Sequence, residues 1–162
     1  MQSIKILLII TPLFLGINSY AQDSYKIENI DSLVSSINRL NLQVHLDSST
    51  KKVADIEMEL KTYSLVVFDN GVLRKYQIKM SSFDHENDVY TPFSQSTTFY
   101  YDQNRLIKVE KSRLQFEKQS VLEWYFSDDK LLKCTDTNSS LASSFLINAK
   151  EFLKRAKWIE NK

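Results

Sequence analysis

Glycine, proline and cysteine are scarce in this chain of 162 residues, which has two Gly, two Pro and one Cys. Beyond residue 21 it retains only Gly71, Pro92 and Cys134. The Gly-x-Gly-x-x-Gly fingerprint, the Walker loop and the Gly-x-Ser-x-Gly elbow each need more than one glycine. Most phosphate-binding loops are thereby excluded from this part of the chain, and we expect no cofactor.

The single cysteine and the two histidines also leave little reactive chemistry. Cys134 has no partner for an intrachain disulfide, so the core must stabilise the protein, and we expect a buried, inert thiol. His45 and His85 have no second ligand at a metal-site spacing, so we expect no metal site. No spacing of Ser, His and Asp indicates a catalytic relay. A non-catalytic function is therefore favoured over an enzyme.

The first 21 residues have the pattern of a secretory signal peptide. Lys5 precedes an apolar run at 6–15, and Ser19 and Ala21 are small residues at the cleavage positions. The run is too short to cross a bilayer core of about 30 Å, and no comparable run follows. We therefore expect residues 22–162 to form a single domain in the periplasm or outside the cell, without stable membrane insertion.

Positive and negative charges are balanced. The chain has 21 Lys and Arg against 20 Asp and Glu, and Lys5 in the predicted signal peptide accounts for the difference. A neutral domain has no long-range field that attracts nucleic acid or an anionic membrane. We expect no nucleic-acid partner.

One hairpin pattern occurs three times, at 68–75, 101–108 and 126–133. Each copy reads aromatic, polar, two turn residues, any residue, Leu, any residue, Lys. A two-residue loop of type I′ needs positive φ at both positions, so Asn70-Gly71 is the strongest turn signal and Asp128-Asp129 the weakest. The pattern predicts three antiparallel hairpins.

The loop positions also predict the strand register, because every pair is counted outward from the turn. The pairs next to the turns are Phe68 with Leu73, Tyr101 with Leu106, and Phe126 with Leu131. Two residues further out we expect Val66 opposite Lys75, Phe99 opposite Lys108, and Trp124 opposite Lys133.

The hairpin pattern resembles MORN-type repeats, which also place an aromatic residue before a tight turn and Gly and Leu after it. Three short units of this chain match, and only the unit with Gly71 has the glycine. The copies start 33 and then 25 residues apart, whereas such repeats follow one another at a constant spacing. The resemblance therefore implies no particular function.

Apolar periodicity predicts a helix near each end of the domain. Between Tyr25 and Leu42 the stripe consists of Ile27, Ile30, Val34 and Ile37, widened by Leu33 and Leu40. Near the C-terminus, after a cap at Asn138 or Ser139, the stripe consists of Leu141, Phe145, Ala149, Phe152, Ala156 and Ile159. We expect Trp158 to anchor the end of this helix on the sheet. Four basic residues in its second half suit the helix dipole: Lys150, Lys154, Arg155 and Lys157.

Three stretches are less decisive. Residues 41–46 alternate as in a strand, and 47–50 reads as a turn. The pattern at 53–60 fits either a strand or a helix, and both alternatives stay open. The long connection at 81–96 contains Asp84, Glu86 and Asp88, but it lacks the Gly and the closing Glu of a calcium loop, which favours a solvated acidic loop of unassigned role.

Alternation along the hairpin strands assigns the two sheet faces. The predicted core face, covered by helices, carries Tyr100, Ile107, Val109, Val121, Tyr125, Leu132 and Cys134. The other face carries Lys75, Lys108 and Lys133 beside Val66, Phe99 and Trp124. Lysine stems that simply cover the aromatic rings would explain this row. The functional alternative is a platform for an acidic peptide or a glycan, with candidate ligand-binding residues Lys75, Lys108, Lys133, Phe99 and Trp124.

The sequence thus predicts an α+β domain with an N-terminal helix, an antiparallel meander of five to seven strands, and a long C-terminal helix packed on one sheet face. We expect an exported, non-catalytic binding domain of the bacterial cell envelope whose partner is an envelope protein or polymer. The alternative is a small periplasmic hydrolase or ligand carrier. A binding domain needs a flat or shallow sheet face, whereas the alternative needs an enclosed pocket with convergent polar groups.

Overall fold

The computed structural model describes residues 23–39, 43–52, 58–84, 93–115, 118–135 and 140–160. The helices are α1 at 23–39 and α2 at Leu141–Glu160. The strands are β1 at Gln43–Lys52, β2 at Met58–Asp69, β3 at Val72–Asp84, β4 at Phe93–Asp102, β5 at Arg105–Gln115, β6 at Lys118–Ser127 and β7 at Lys130–Cys134. Within these residues the seven strands form one antiparallel sheet in chain order, which confirms the predicted α+β meander between two helices.

Strand pairing extends several elements beyond their predicted ends. β1 pairs with β2 as far as Lys52, so the turn predicted at 47–50 is wrong. β2 begins at Met58, which makes 58–60 strand rather than helix. β3 continues to Asp84 and β4 starts at Phe93, so the long connection is shorter than predicted. The signal peptide, both candidate helix caps and residues 85–92 of the acidic loop lie outside the described residues.

All three hairpin turns adopt the predicted left-handed backbone at both loop positions. The φ angles are 50° at Asn70, 75° at Gly71, 48° at Gln103, 63° at Asn104, 51° at Asp128 and 61° at Asp129. Positive φ at both loop residues matches the right-handed twist of the flanking strands. The prediction of three two-residue loops is confirmed.

The register beyond each turn differs from the prediction by one residue. The three pairs next to the turns are confirmed, but a β-bulge then inserts one extra residue into each return strand, at Arg74, Ile107 and Leu132. Each bulge moves the later residues of the return strand one position along. The partners are therefore Val66 with Tyr76, Phe99 with Val109, and Trp124 with Cys134.

The bulges also redistribute the predicted faces. α2 packs on the face that carries Phe99 and Trp124, and its predicted stripe lines that core. Rings interlock there: Tyr76 stacks on Phe152 at 4.2 Å, and Trp124 meets the Phe145 ring edge-on at 4.8 Å between centroids. Trp124 is 0% exposed. This aromatic layer is the main core, so the sheet face that the sequence predicts to be exposed is buried under α2.

The predicted core face is wrong as a single set. Val109 and Cys134 lie under α2, and Cys134 is half-buried and forms no disulfide. Tyr100 and Ile107 lie under α1, and Val121 is exposed. Alternation places residues on two faces only if no extra residue interrupts the strand, and Leu132 is itself such a residue in β7.

α1 packs on the opposite face from α2. Val34 and Ile37 are buried against Tyr100, with Ile30, Leu33 and Ile107 packed around them. This confirms four residues of the predicted stripe, and Leu40 lies outside the described residues. The sheet thus forms the middle of three layers. In α2, Trp158 is exposed, and the neighbouring Ile159 packs on the core. The prediction that Trp158 anchors the end of this helix is therefore wrong, because Ile159 makes that contact. Neither described helix is long and apolar enough to cross a membrane.

Candidate functional site

The bulges assemble a row of alternating lysines and tyrosines across five strands. Lys75 pairs with Tyr100, Tyr100 with Lys108, Lys108 with Tyr125, and Tyr125 with Lys133. We call these five residues the lysine–tyrosine row. The lysines do share one row, as the sequence predicts, but their aromatic neighbours are the tyrosines. The predicted common face with Val66, Phe99 and Trp124 is wrong, because those residues lie under α2.

The predicted candidate residues therefore separate into two groups. Lys75 contacts Asn38 of α1, and Lys108 contacts Asp31 of α1. Lys133 is exposed at the β7 end of the row. Phe99 and Trp124 are enclosed in the aromatic core, where a ligand cannot reach them without displacing α2. Ligand binding by the lysines stays a prediction.

Lys108 lies at the centre of a buried ionic cluster. Only 5% of its side chain is exposed. Its Nζ lies 2.8 Å from Asp31 Oδ1 of α1, 3.1 Å from Glu110 Oε1 of β5 and 2.8 Å from Glu123 Oε1 of β6. The ammonium also lies 4.8 Å from the centroid of the Tyr125 ring. One cation thus links α1 to two strands.

Tyrosine hydroxyls extend the cluster into a network with α1. The Tyr125 hydroxyl donates to Asp31, at 3.0 Å from Oδ1. The Tyr100 hydroxyl donates to Glu110 Oε2 at 2.9 Å.

The network reaches the C-terminal half of α1 through Asn38. The Asn38 amide donates to the Tyr100 hydroxyl at 3.3 Å and accepts from Lys75 Nζ at 2.9 Å. Asp31 and Asn38 are seven residues apart, about two helical turns, so both project from the same side of the helix. Polar contacts therefore hold α1 along this line, beside its small apolar cluster.

The network shifts the ionisation of its members. Burial opposes the charge on Lys108, but hydrogen bonds to Asp31, Glu123, Tyr125 and Glu110 outweigh it and raise the pKa of the ammonium. Burial is the main cause that raises the pKa of Tyr100 and of Tyr125 to about 12. Burial lowers the pKa of Lys75, and Glu110 opposes that effect. Lys108 is therefore a permanent cation that cannot act as a nucleophile or base near neutral pH.

Raising the pH above 10 is expected to destabilise the protein. The pKa of Tyr100 and of Tyr125 is about 12 in the folded chain, against 10.0 unperturbed, so the unfolded chain loses these protons first. Their contribution to stability is complete below pH 10 and is lost as the pH rises toward 12. The raised pKa of Lys108 acts in the same direction. Urea unfolding at a series of pH values measures this, and a free energy of unfolding that increases above pH 10 would contradict it.

The part of the same sheet face beyond α1 carries serines beside larger side chains. One row across β2 to β6 consists of Tyr63, Lys79, Ser96, Ser112 and Val121. The adjacent row, further from α1, contains Lys61, Ser81, Ser94, Leu114 and Gln119. We call these ten residues the open polar face. Tyr63 and Val121 are 42% and 49% exposed at its two sides, about 19 Å apart at the usual strand spacing.

A small pocket lies near the N-terminal half of α1 and two hairpin turns. Its volume is about 270 Å³, and it opens to solvent. Ile30 and Ile107 contribute apolar walls, while Lys26, Arg105 and Asp128 contribute charge. Arg105 and Asp128 form an ion pair with each other. Within the described residues no group of three or more His, Cys, Asp or Glu could hold a metal ion.

Sequence reasoning missed the acidic members of the ionic cluster. Two-residue spacing places Glu110 on the same face as Lys108, and Glu123 on the same face as Tyr125. That signal was present in the sequence, but the register of β5 with β6, which places the two pairs side by side, was not predicted. Asp31 comes from a helix 77 positions earlier in the chain, and no local pattern indicates its contact with Lys108. No known protein family, curated protein or solved structure matches the chain.

Proposed function

We propose that this protein is an exported, non-catalytic binding domain of the bacterial cell envelope, located in the periplasm or secreted, and that the open polar face is its binding surface. The observation that carries the proposal is the exposure of Tyr63, Lys79 and Val121 along one row of the sheet, which no described helix covers. A flat face suits an extended partner, whereas a small substrate needs an enclosing cleft. Export rests on the signal peptide predicted for residues 1–21.

The chemistry of this face favours a glycan over an acidic peptide. Serine hydroxyls from three adjacent strands can donate and accept hydrogen bonds, and the exposed Tyr63 ring offers a surface for sugar rings to stack on. An acidic peptide would need available cations. Lys108 is already bound to three carboxylates, and Lys75 is hydrogen-bonded to Asn38, so the described cations of the open polar face are Lys61 and Lys79, both at one side of it on β2 and β3. Hydroxyl-rich envelope polymers therefore fit best.

Tyr63→Ala is expected to weaken binding to insoluble glycan about tenfold, because removal of an aromatic contact that anchors a partner typically costs more than 1 kcal/mol. The measurement is co-sedimentation of the purified domain with peptidoglycan sacculi. Tyr25→Ala is the matched control, because Tyr25 is also an exposed tyrosine but lies on α1. Both variants should unfold at the wild-type urea concentration.

If sacculi retain Tyr63→Ala as well as they retain the wild-type protein, the open polar face is not the binding surface. Release by soluble poly-glutamate, but not by sugar fragments of the sacculus, would assign the face to an acidic peptide instead.

The second candidate is a small hydrolase or ligand carrier that uses the pocket near α1. The observation in its favour is the combination of apolar walls with Lys26 and Arg105. Ligand pockets usually measure about 300–1,000 Å³ and enclose most of the ligand. This pocket is slightly smaller and opens to solvent, so the binding domain remains the better-supported function.

A further inference from the structure

The outer surface of α2 carries two large apolar side chains. Ile147 is 64% exposed and Trp158 is 59% exposed. They are 11 residues apart, which is about three helical turns, so both project along nearly the same line. The stripe that packs on the sheet, including Phe145, Ala149 and Ala156, occupies the opposite side. Neither Ile147 nor Trp158 belongs to the apolar core beneath α2.

Basic side chains flank this apolar line. Lys150, Lys154, Arg155 and Lys157 are all exposed. α2 contains two acidic residues, Glu151 and Glu160, and its first nine residues carry no charge, so the positive charge is concentrated in the second half. Lys150 contacts Asp129 and Lys154 contacts Glu151, but these ion pairs are largely exposed and such pairs contribute little. The net charge of the chain is near zero, whereas this helix is positive.

We propose that the outer face of α2, defined by Ile147, Trp158 and the four basic residues, docks the protein on an anionic lipid surface. Interfacial helices combine apolar residues on one side with flanking Lys and Arg. Trp is favoured at the boundary between lipid headgroups and acyl chains, because its ring is apolar and its N–H is polar. The helix lies on the surface and does not cross it, which agrees with its limited hydrophobicity.

Charge complementarity selects lipid over a second copy of the chain. Two α2 helices packed through this face would bring the four cations of each copy together, and like charges across an interface disfavour association. An anionic bilayer instead attracts each nearby Lys or Arg. Docking through two apolar side chains and a few cations is reversible and depends on ionic strength.

The two tryptophans make the test direct. Trp124 is fully buried and Trp158 is exposed, so a change in emission on adding vesicles reports Trp158. The probe is a vesicle of neutral phosphatidylcholine with about 30% phosphatidylglycerol, compared with phosphatidylcholine alone. We expect a blue shift and co-sedimentation with the anionic vesicles only, both reversed by about 0.5 M salt, which shortens the screening length to about 4 Å.

Two variants distinguish this face from general surface charge. The double variant Lys154→Gln and Lys157→Gln is expected to lose about tenfold in vesicle affinity, since two cations near the surface are removed. Trp158→Ala is expected to lose the blue shift. Lys118→Gln removes an exposed lysine at the start of β6, outside both α2 and the open polar face, and is expected to bind as the wild type does.

Equal binding to neutral and anionic vesicles, or equal loss in the Lys118→Gln control, would overturn the proposal. So would binding to soluble heparin with no blue shift on vesicles, which would assign the patch to an acidic polymer. None of these outcomes depends on the open polar face, so the glycan proposal and the lipid proposal fail independently.

Discussion

Trp124→Ala is expected to lower the free energy of unfolding by about 3–5 kcal/mol, which is the usual cost of truncating a fully buried large aromatic side chain. Trp124 is 0% exposed and packs against Phe145 of α2, so its removal leaves a cavity between the sheet and the helix. Urea unfolding, followed by far-ultraviolet circular dichroism, measures the loss. Part of the expressed Trp124→Ala variant should remain folded at low temperature, so its urea unfolding can be compared with that of the wild-type protein.

The matched control for this prediction is Trp158→Ala. Trp158 is exposed at the end of α2, and its truncation should change stability by no more than about 0.5 kcal/mol. Similar small losses for both variants would contradict the position of Trp124 beneath α2. They would instead support an exposed aromatic platform on that face of the sheet.

Lys108→Ala is expected to destabilise the protein by about 1.5–3 kcal/mol, the range for hydrogen bonds to charged groups, because its carboxylate partners are 28–46% exposed and regain water when the cation is removed. The substitution leaves the carboxylates of Asp31, Glu110 and Glu123 close together without the cation that binds all three. Because Asp31 belongs to α1, we expect this helix to loosen first. Hydrogen exchange of the α1 amides measures that local effect beside the global free energy.

Two comparisons separate the ionic cluster from loss of packing. Lys133→Ala removes an exposed lysine of the same row and should change stability by less than about 0.5 kcal/mol. The quadruple variant Asp31→Asn, Lys108→Met, Glu110→Gln and Glu123→Gln should recover much of the loss, because an uncharged cluster needs no cation. A large loss that persists in the quadruple variant would mean that Lys108 acts mainly through the packing of its stem.

The sequence predicted the local elements of the candidate site but not how they meet. The turn residues placed three hairpins correctly because the left-handed backbone is a local requirement of the two-residue loop. The same reasoning placed the lysines of the hairpins in one row. It assigned them the wrong neighbours, since a bulge at Arg74, Ile107 and Leu132 leaves no distinctive local signature.

The apolar stripes of both helices were also readable, because a helix that covers a sheet repeats its apolar residues with the helical period. Which face each helix covers was not readable. Both faces of the central strands carry large apolar side chains: Phe99 and Trp124 on one, Tyr100 and Ile107 on the other. Composition therefore does not distinguish an interior from an exterior in these strands.

By itself the sequence determined the α+β class, the strand order of the meander and the position of each hairpin turn, because these depend on residues close together in the chain. Only the tertiary structure decided the bulged register, the placement of α1 and α2 on opposite faces, and the burial of Lys108 among three carboxylates. The physical reason is that a shift of one residue reverses the side of the sheet on which every later side chain lies. That choice is made by packing between distant segments, where aromatic burial under α2 and the contact between Asp31 and Lys108 act together.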